Sequence, residues 1–301
     1  MTRRVALAVN PTAGRGRGLA AGAAVAARLA ADGVDVLSLT APDAAGLLAG
    51  ARQEVAAGLD TLVVVGGDGM VHLGVNAVAG TGCALGIVAA GTGNDIAREL
   101  GLRVGDPAGA ARDIVAAIGV GSVRAVDAAR VAAPHDAWFA GVLGAGFDAL
   151  VNERANGWRW PRGHLRYDLA ILRELRVLRP RDYVLELDGE TWPVRAVLVV
   201  VANGPAYGGG MRVCPDARMD DGLLDVLVVA PVSRTAFLRI YPRVYAGTHL
   251  TDPRVTLRRA RRVRVATDDI VAYADGERLG ALPVTVEAVP EALRVLVPPP
   301  A

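Results

Sequence analysis

The sequence predicts two domains of different class: an α/β domain doubly wound around a mainly parallel sheet, then an antiparallel β-sheet domain. Three observations carry this. Over the first 120 or so of the 301 residues, apolar runs alternate with helical stretches at the spacing of βα units. Polar glycine loops follow strands of that region, where open α/β sheets bind ligands. After about Val123 the texture turns to short β-branched runs broken by Gly, Pro and Asp. The expected division is residues 1–123 and 124–301, and the last strand, in LRVLVPPPA, can belong to either domain.

RVALAV (4–9) reads as the first strand and the alanine-rich segment 18–31 as a helix. VDVLSLT (34–40) precedes a helix over 43–57, TLVVV (61–65) one over 71–78, and ALGIVAA (84–90) one over 95–100. Asp106-Pro107 supplies an N-cap and a first helical proline, whose missing N–H would have no helical partner anyway. It opens a helix to about Ile118. In the second half AWFAGVLGAGFDA, DYVLELDG, VRAVLVVVANG, LLDVLVVAP, RRVRVAT and VTVEAV read as strands. Residues 166–178 read as a core helix with Leu169, Leu172 and Leu175 along one stripe and a solvated arginine face. RRARRVRV (258–265) reads as a solvated edge strand.

Composition excludes several classes. At 52% apolar and 21% charged the chain is globular, and no apolar run approaches the roughly 18 residues of a membrane span. Arg3-Arg4 leads straight into a strand, so no secretory leader is expected and the protein reads as cytoplasmic. A net charge of +2 argues against a nucleic-acid partner. Cys83 and Cys214 are too few and too far apart for a disulfide framework or a CxxC site. All 33 basic residues are arginine. Without lysine there is no Walker-A loop, kinase strand lysine or Schiff base, so phosphate must meet backbone N–H groups, arginine or a metal. The four histidines, His72, His135, His164 and His249, form no HExxH pair, and none of Ser38, Ser122 and Ser233 lies in GxSxG.

The chemistry concentrates in the loops. Gly66-Gly67-Asp68-Gly69 ends an apolar strand and opens a helix, aiming backbone N–H groups at an anion. Asp68 would repel phosphate directly, so it implies a metal, proton or hydroxyl partner; the bland reading is a tight turn with Asp68 as N-cap. Gly91-Thr92-Gly93-Asn94-Asp95 repeats the arrangement after the next strand, with Asp95 as a cap, and Asn10-Pro11 with Gly14, Gly16 and Gly18 makes a third loop. Three such loops on successive strands point to a nucleotide pocket. Gly16-x-Gly18-x-x-Ala21 is a poor dinucleotide fingerprint, because Thr40 stands where the ribose-binding acid should be.

NPTAG (10–14), GGDG (66–69) and GTGNDIAR (91–98) resemble, in order and spacing, the catalytic domain shared by soluble bacterial diacylglycerol kinases, sphingosine kinases and ceramide kinases. ANGPAYGGGMRVCPDARMDDGLLDV (202–226) is similar to that family's long signature, and DGE (275–277) stands in the place of a later one. The resemblance implies an ATP-dependent lipid kinase, with diacylglycerol as the expected acceptor, an N-terminal ATP-binding domain and a C-terminal β-sandwich. By position it implies ATP contacts at Gly67, Asp68, Gly69, Met70, Val71, His72, Leu73, Thr92 and Thr40, with Asn10, Asn94 and Glu277 beside them. Asp275 matches the general base, and Asp221 with the carbonyls of Arg218 and Leu223 matches a Mg²⁺ site that Asp68 would reach through water. Chemistry agrees: phosphoryl transfer needs alignment and charge compensation, a carboxylate can take the hydroxyl proton, and a DDG turn offers hard oxygens. The competing reading makes Asp275-Gly276 and Asp220-Asp221-Gly222 ordinary turns.

Departures from the family pattern fall on Met70, where relatives often carry Thr, and on His72 and Leu73, in the stretch where an Asn-Glu pair is common. Ala89-Ala90 replace a common proline. Two alternatives are therefore kept, a NAD or other small-molecule kinase sharing GGDG and a nucleotide- or lipid-sensing pseudokinase. Residues 156–181 mix tryptophan, arginine and leucine, which suits transient peripheral contact with a membrane surface where the lipid resides; a homodimer is left open.

Overall fold

Val5–Val9 (β1), Val36–Leu39 (β2), Thr61–Gly66 (β3) and Ala84–Ala89 (β4) are the apolar runs of the first half, and they pair in parallel in the order β2-β1-β3-β4. The computed structural model describes residues 4–10, 18–158, 160 and 164–299. Gly14, Gly16 and the rest of the first glycine loop after Asn10 lie outside the described residues. The chain forms two compact units, Met1–Ala128 with Val289–Ala301, and Ala129–Ala288.

In the first unit, α1 (Gly18–Ala31), α2 (Ala44–Ala56), α3 (Asp68–Val78), α4 (Asp95–Glu99) and α5 (Pro107–Val120) alternate with the strands. β3 and β4 are buried throughout, and β1 nearly so, because helices cover both faces of the sheet. Val5, Leu7, Val63, Val65 and Val88 pack with Val25 and Leu29 of α1 and Ile114 and Ile118 of α5. On the other face α3 lies against Val64 and Leu85. Asp43 caps α2 by accepting the Gly46 N–H at 2.8 Å, and Asp106 caps α5 by accepting that of Gly109 at 2.9 Å, with Pro107 next in line. The end of the last strand, β16 (Val284–Leu296), pairs in parallel with β4, Arg294 opposite Ala84.

The second unit is a two-sheet antiparallel sandwich. One sheet runs β12 (Val255–Ala260), β11 (Leu224–Val229), β10 (Leu198–Ala202), β7 (Val142–Gly146), β14 (Val271–Ala274), β15 (Glu277–Ala281). The other pairs the start of β16 with β13 (Arg262–Ala266), then β8 (Arg181–Leu187) and β9 (Glu190–Ala196), while β5 (Val123–Val131) pairs with β16 and with β6 (Ala137–Phe139). Leu143, Val199, Val201, Val226 and Val228 from the first sheet meet Tyr183, Leu185, Val263, Val265 and Val286 from the second in one core. On the outer face of the first sheet lie α6 (Phe147–Gly157), α7 (His164–Arg176) and α8 (Arg234–Tyr245), joined by an apolar cluster around Phe147, Ala170, Leu175 and Phe237.

Two sequence expectations are corrected here. Residues 258–265 are not one edge strand: they break at Arg261, leaving β12 at a sheet edge and β13 between β16 and β8. Their arginines pair with acids, Arg258 with Glu190, Arg259 with Asp225, Arg262 with Glu287 and Arg264 with Glu186. The leucine stripe also splits, with Leu175 buried but Leu169 and Leu172 exposed. At about 100° per residue, positions 169 and 175 lie about 120° apart around a helix, so one face cannot hold both.

Asp148, in the first turn of α6, is a buried carboxylic acid 9% exposed. Its Oδ2 lies 1.6 Å from where a Cβ at Gly144 would stand, so no other residue fits beneath it. Oδ1 has no hydrogen-bond partner among the described residues. Burial pushes its pKa up to about 7, partly offset by the amides of Ala149 and Asp148 itself. Between about pH 4 and that value the folded protein holds a proton that the unfolded chain has released. Stability therefore falls as pH rises through this window, by about 1.4 kcal/mol per pH unit from this group, and levels off above it. Asp148→Asn keeps the shape without the charge, so it should be more stable than the wild type above pH 7 and converge with it near pH 4. Urea unfolding at several pH values measures this, and parallel curves for the two proteins would refute it.

Candidate active site

Parallel strands end together, and that places the predicted ATP-contact residues of the first unit along one rim of the sheet. Asn10 follows β1, its N–H on the Val65 carbonyl at 3.1 Å, and Thr40 follows the edge strand β2 as an exposed residue. Gly67, Asp68 and Gly69 follow β3, and Thr92 and Asn94 lie in the loop after β4.

The two glycine loops are locked to each other. Asp68 is not the N-cap of α3; Gly67 is, and it has no side chain to offer that helix. The Asp68 carboxylate instead serves α4, Oδ2 accepting the Asn94 N–H at 2.7 Å and Oδ1 that of Asp95 at 2.8 Å. Asp95 likewise does not cap α4. Asn94 does, in the left-handed conformation at φ +60°, while its amide bonds both the N–H and the carbonyl of Gly91. A Cβ on Gly91 would stand 2.4 Å from the Gly67 Cα, so the backbones touch only because both residues are glycine. The start of α3, with glycine at its N-cap, is an N–H-rich, partly positive end that suits a phosphate.

The departures from the family pattern turn inward. Met70, Val71 and Leu73 are 6%, 2% and 6% exposed, and the Met70 side chain fills the space beside Gly66. His72 is half-buried, its Nε2 3.1 Å from the Asn76 amide nitrogen, and Asn76 accepts the Arg52 Nε–H through its carbonyl. Any contact that Met70, Val71 and Leu73 make with a ligand at the helix start is through backbone.

In the second unit Asp275 and Gly276 form the two-residue hairpin between β14 and β15, with φ of +50° and +85°, as a type I′ turn requires. The turn delivers the Asp275 carboxylate to three successive amides: Ala140 N–H to Oδ2 at 3.1 Å, Gly141 and Val142 N–H to Oδ1 at 3.0 Å each. Its own N–H returns to the Val142 carbonyl. Glu277 is exposed just beyond. Thus Asp275-Gly276 is an ordinary hairpin turn and also an oriented carboxylate.

Asp221 lies in the loop entering β11. Its Oδ1 accepts the Leu223 N–H at 3.1 Å, and its Oδ2 is 3.4 Å from the Arg259 guanidinium. Arg218 is exposed and pairs with Asp220. Arg259 also holds the buried Asp225 at 3.1 Å, whose pKa burial raises against that pairing. Ala202 lies opposite both Val142 and Asp225, so the Asp275 turn and the Asp221 loop meet one end of the same sheet on either side of β10. Among the described residues no three or more His, Cys, Asp and Glu side chains gather as a metal cage.

Two positioning residues escaped sequence reasoning. Asn203, fully buried, donates from Nδ2 to the Ala140 carbonyl at 2.8 Å and from its backbone to Gly141, fixing the amides that hold Asp275. Its signal was an asparagine ending an apolar strand, VVVAN. Arg259, one of many arginines in its run, had no distinguishing signal. Gly91→Ala should cost about 1–3 kcal/mol, as overpacking against backbone does, and weaken ATP binding by separating the loops. Denaturant melts and calorimetric titration with ATP check both, and an unchanged midpoint would contradict the contact.

Comparison with known proteins follows this geometry. Residues 4–131 match the diacylglycerol kinase catalytic domain, and residues 141–297 the YegS C-terminal NAD kinase beta sandwich-like domain. A protein named diacylglycerol kinase from Mycobacterium tuberculosis (strain ATCC 25618 / H37Rv) is 42% identical, with 98% of this chain and 95% of that one covered. A diacylglycerol kinase from Bacillus subtilis (strain 168) is 28% identical over 74% of this chain and 73% of its own. Among solved structures, a diacylglycerol kinase from Bacillus anthracis str. Sterne superposes with a TM-score of 0.72 at 25% identity, covering 99% of this chain and 97% of that one. An NAD kinase from Archaeoglobus fulgidus shares the fold at a TM-score of 0.56 and 15% identity, over 98% and 93% of the two chains. The chain therefore belongs to the diacylglycerol kinase family, a family of lipid-kinase-like transferases.

Proposed function

We propose that the protein is an ATP-dependent lipid kinase that phosphorylates diacylglycerol to phosphatidic acid, working from the cytoplasm in transient contact with the membrane. The observation that carries the phosphoryl-transfer reading is Asp275, a carboxylate aimed by three backbone N–H groups. The lipid acceptor is inferred from what the relatives are named.

Phosphoryl transfer asks little covalent work of the protein. The acceptor hydroxyl oxygen forms a bond to the γ-phosphorus, the bond to the bridging oxygen of ADP breaks, and the hydroxyl proton passes to the Asp275 carboxylate. Fixed in orientation by its amides, Asp275 accepts that proton without first reorganising. In the first unit the start of α3 would face phosphate oxygens, and Asp68 keeps the second glycine loop in place beside it. For Mg²⁺, Asp221 with the carbonyls of Arg218 and Leu223 is a hard-oxygen donor set of the right kind, with Arg259 engaged to the same carboxylate. Bound there, the ion would offset phosphate charge.

With radiolabelled ATP, Mg²⁺ and mixed micelles of diacylglycerol, the protein should yield labelled phosphatidic acid. Asp275→Asn should lower kcat by roughly 10²–10⁴-fold while ATP affinity is retained. Full activity in that variant would remove Asp275 as the base, and phosphorylation of NAD with no lipid product would overturn the lipid reading. Chelation with EDTA should stop turnover, and Asp221→Asn should raise the Mg²⁺ concentration needed to restore it.

A further inference from the structure

We infer that Arg259 competes with the divalent ion for Asp221 and so sets how tightly the second unit holds it. The inference deepens the Mg²⁺ reading of Asp221 and rests on it. Arg259 stands on β12 directly opposite Asp225 of β11. By strand alternation Asp225 shares its face of β11 with Leu227 and Val229. These two pack with Val213, Cys214 and Ala217, residues of the loop that leads to Asp221. In that apolar setting the Asp225 side chain is 2% exposed; burial raises its pKa, and the bond from Arg259 lowers it.

One guanidinium serves both acids. Its Nε–H donates to Asp225 Oδ1 at 3.1 Å. Its Nη2 lies 3.4 Å from Asp221 Oδ2 and donates to the Asp216 carbonyl at 3.4 Å. Arginine suits this double duty, because its rigid fork presents separate N–H groups to two acceptors. The two pairings differ in strength. Asp225 is buried, so losing its partner is costly, whereas Asp221 is 20% exposed and its ion pair is loose and partly solvated. Asp221 can therefore turn Oδ2 to an incoming ion while Arg259 stays on Asp225 and Oδ1 keeps the Leu223 N–H.

The charge that stays behind has a consequence for the ion. A guanidinium held beside the site repels a divalent cation and lowers its affinity there. Packing alone does not call for the pair. A buried ion pair contributes little net stability compared with an apolar pair of similar volume, and the neighbouring cross-strand pair, Leu227 with Leu257, is apolar. Asp221 and Asp216 also act on Asp225 as like charges, which makes Arg259 the shared counter-charge of all three acids.

The test measures binding of Mn²⁺ alone to the full chain, without ATP, from the free-ion signal in electron paramagnetic resonance. Arg259→Met by itself strands a buried carboxylate, so the double variant Asp225→Asn/Arg259→Met removes both charges together. It should bind Mn²⁺ roughly tenfold more tightly than the wild type. Arg259→Lys, which keeps a cation on Asp225 but lacks the second prong, should gain about threefold. Asp225→Asn alone frees the arginine to pair fully with Asp221 and should bind about threefold more weakly. A pair that serves structure alone would weaken binding in every variant. Unchanged or weaker binding in both Arg259 variants overturns the inference. Asp221→Asn separates this from the site reading. If it loses Mn²⁺ while the Arg259 variants gain nothing, the role of Arg259 alone falls. Unaltered binding in Asp221→Asn overturns the metal site, and the inference with it.

Discussion

The first unit's site depends on one carboxylate. Asp68 gives both oxygens to the N–H groups of Asn94 and Asp95, and through them ties the loop after β3 to the loop after β4. Those amides belong to the start of a short helix, α4, so the bonds are charge-assisted and satisfy donors that would otherwise want water. Asp68 reaches across to a neighbouring helix, and its own helix starts on Gly67, whose bare backbone suits the loop to an anion. The glycine contact between residues 67 and 91 follows from the same closeness.

The device recurs where a segment must be held to a distant one. Asp275 takes three amides from residues 140–142, Asp188 takes those of Arg261 and Arg262, Asp127 that of Glu291 and Asp60 that of Arg4. Backbone amides cannot move relative to the fold as a long side chain can, so a carboxylate aimed at several is fixed in direction. At Asp275 this supplies an oriented acceptor at the end of a sheet; at Asp148 burial supplies the opposite, an acid that keeps its proton near neutral pH.

Legibility in the sequence varied with the range of the physics involved. Strand and helix positions in the first half follow from apolar runs and local caps, and Asp106-Pro107 and Asp43 cap as their local chemistry dictates. The loops were legible as a set, because glycine next to a carboxylate after each strand is a local pattern. What failed were assignments of direction. Asp95 read as the cap of its own helix and, in the bland reading, so did Asp68; neither is. Leu169 and Leu172 read as core with Leu175, although spacing of three drifts by about 60° per step and carries the first two into solvent. Met70 read as a departure from the family pattern that a backbone N–H could make good, and its side chain packs beside Gly66.

By itself the sequence determined the α/β and antiparallel classes, the order of the elements, the glycine loops and the kinase-family motifs, because all of these are encoded by neighbours within a few residues or by recognisable strings. Tertiary structure decided which backbone each carboxylate serves: Asp68 bonds residues 26 and 27 positions away, and Asp275 bonds residues 133–135 positions away. It also decided that Asn203 supports Ala140 and that the outer leucines of α7 stay uncovered. A hydrogen bond needs its partner within about 3 Å and correctly aimed. That condition is met between segments far apart in the chain only after the sheets and helices have packed.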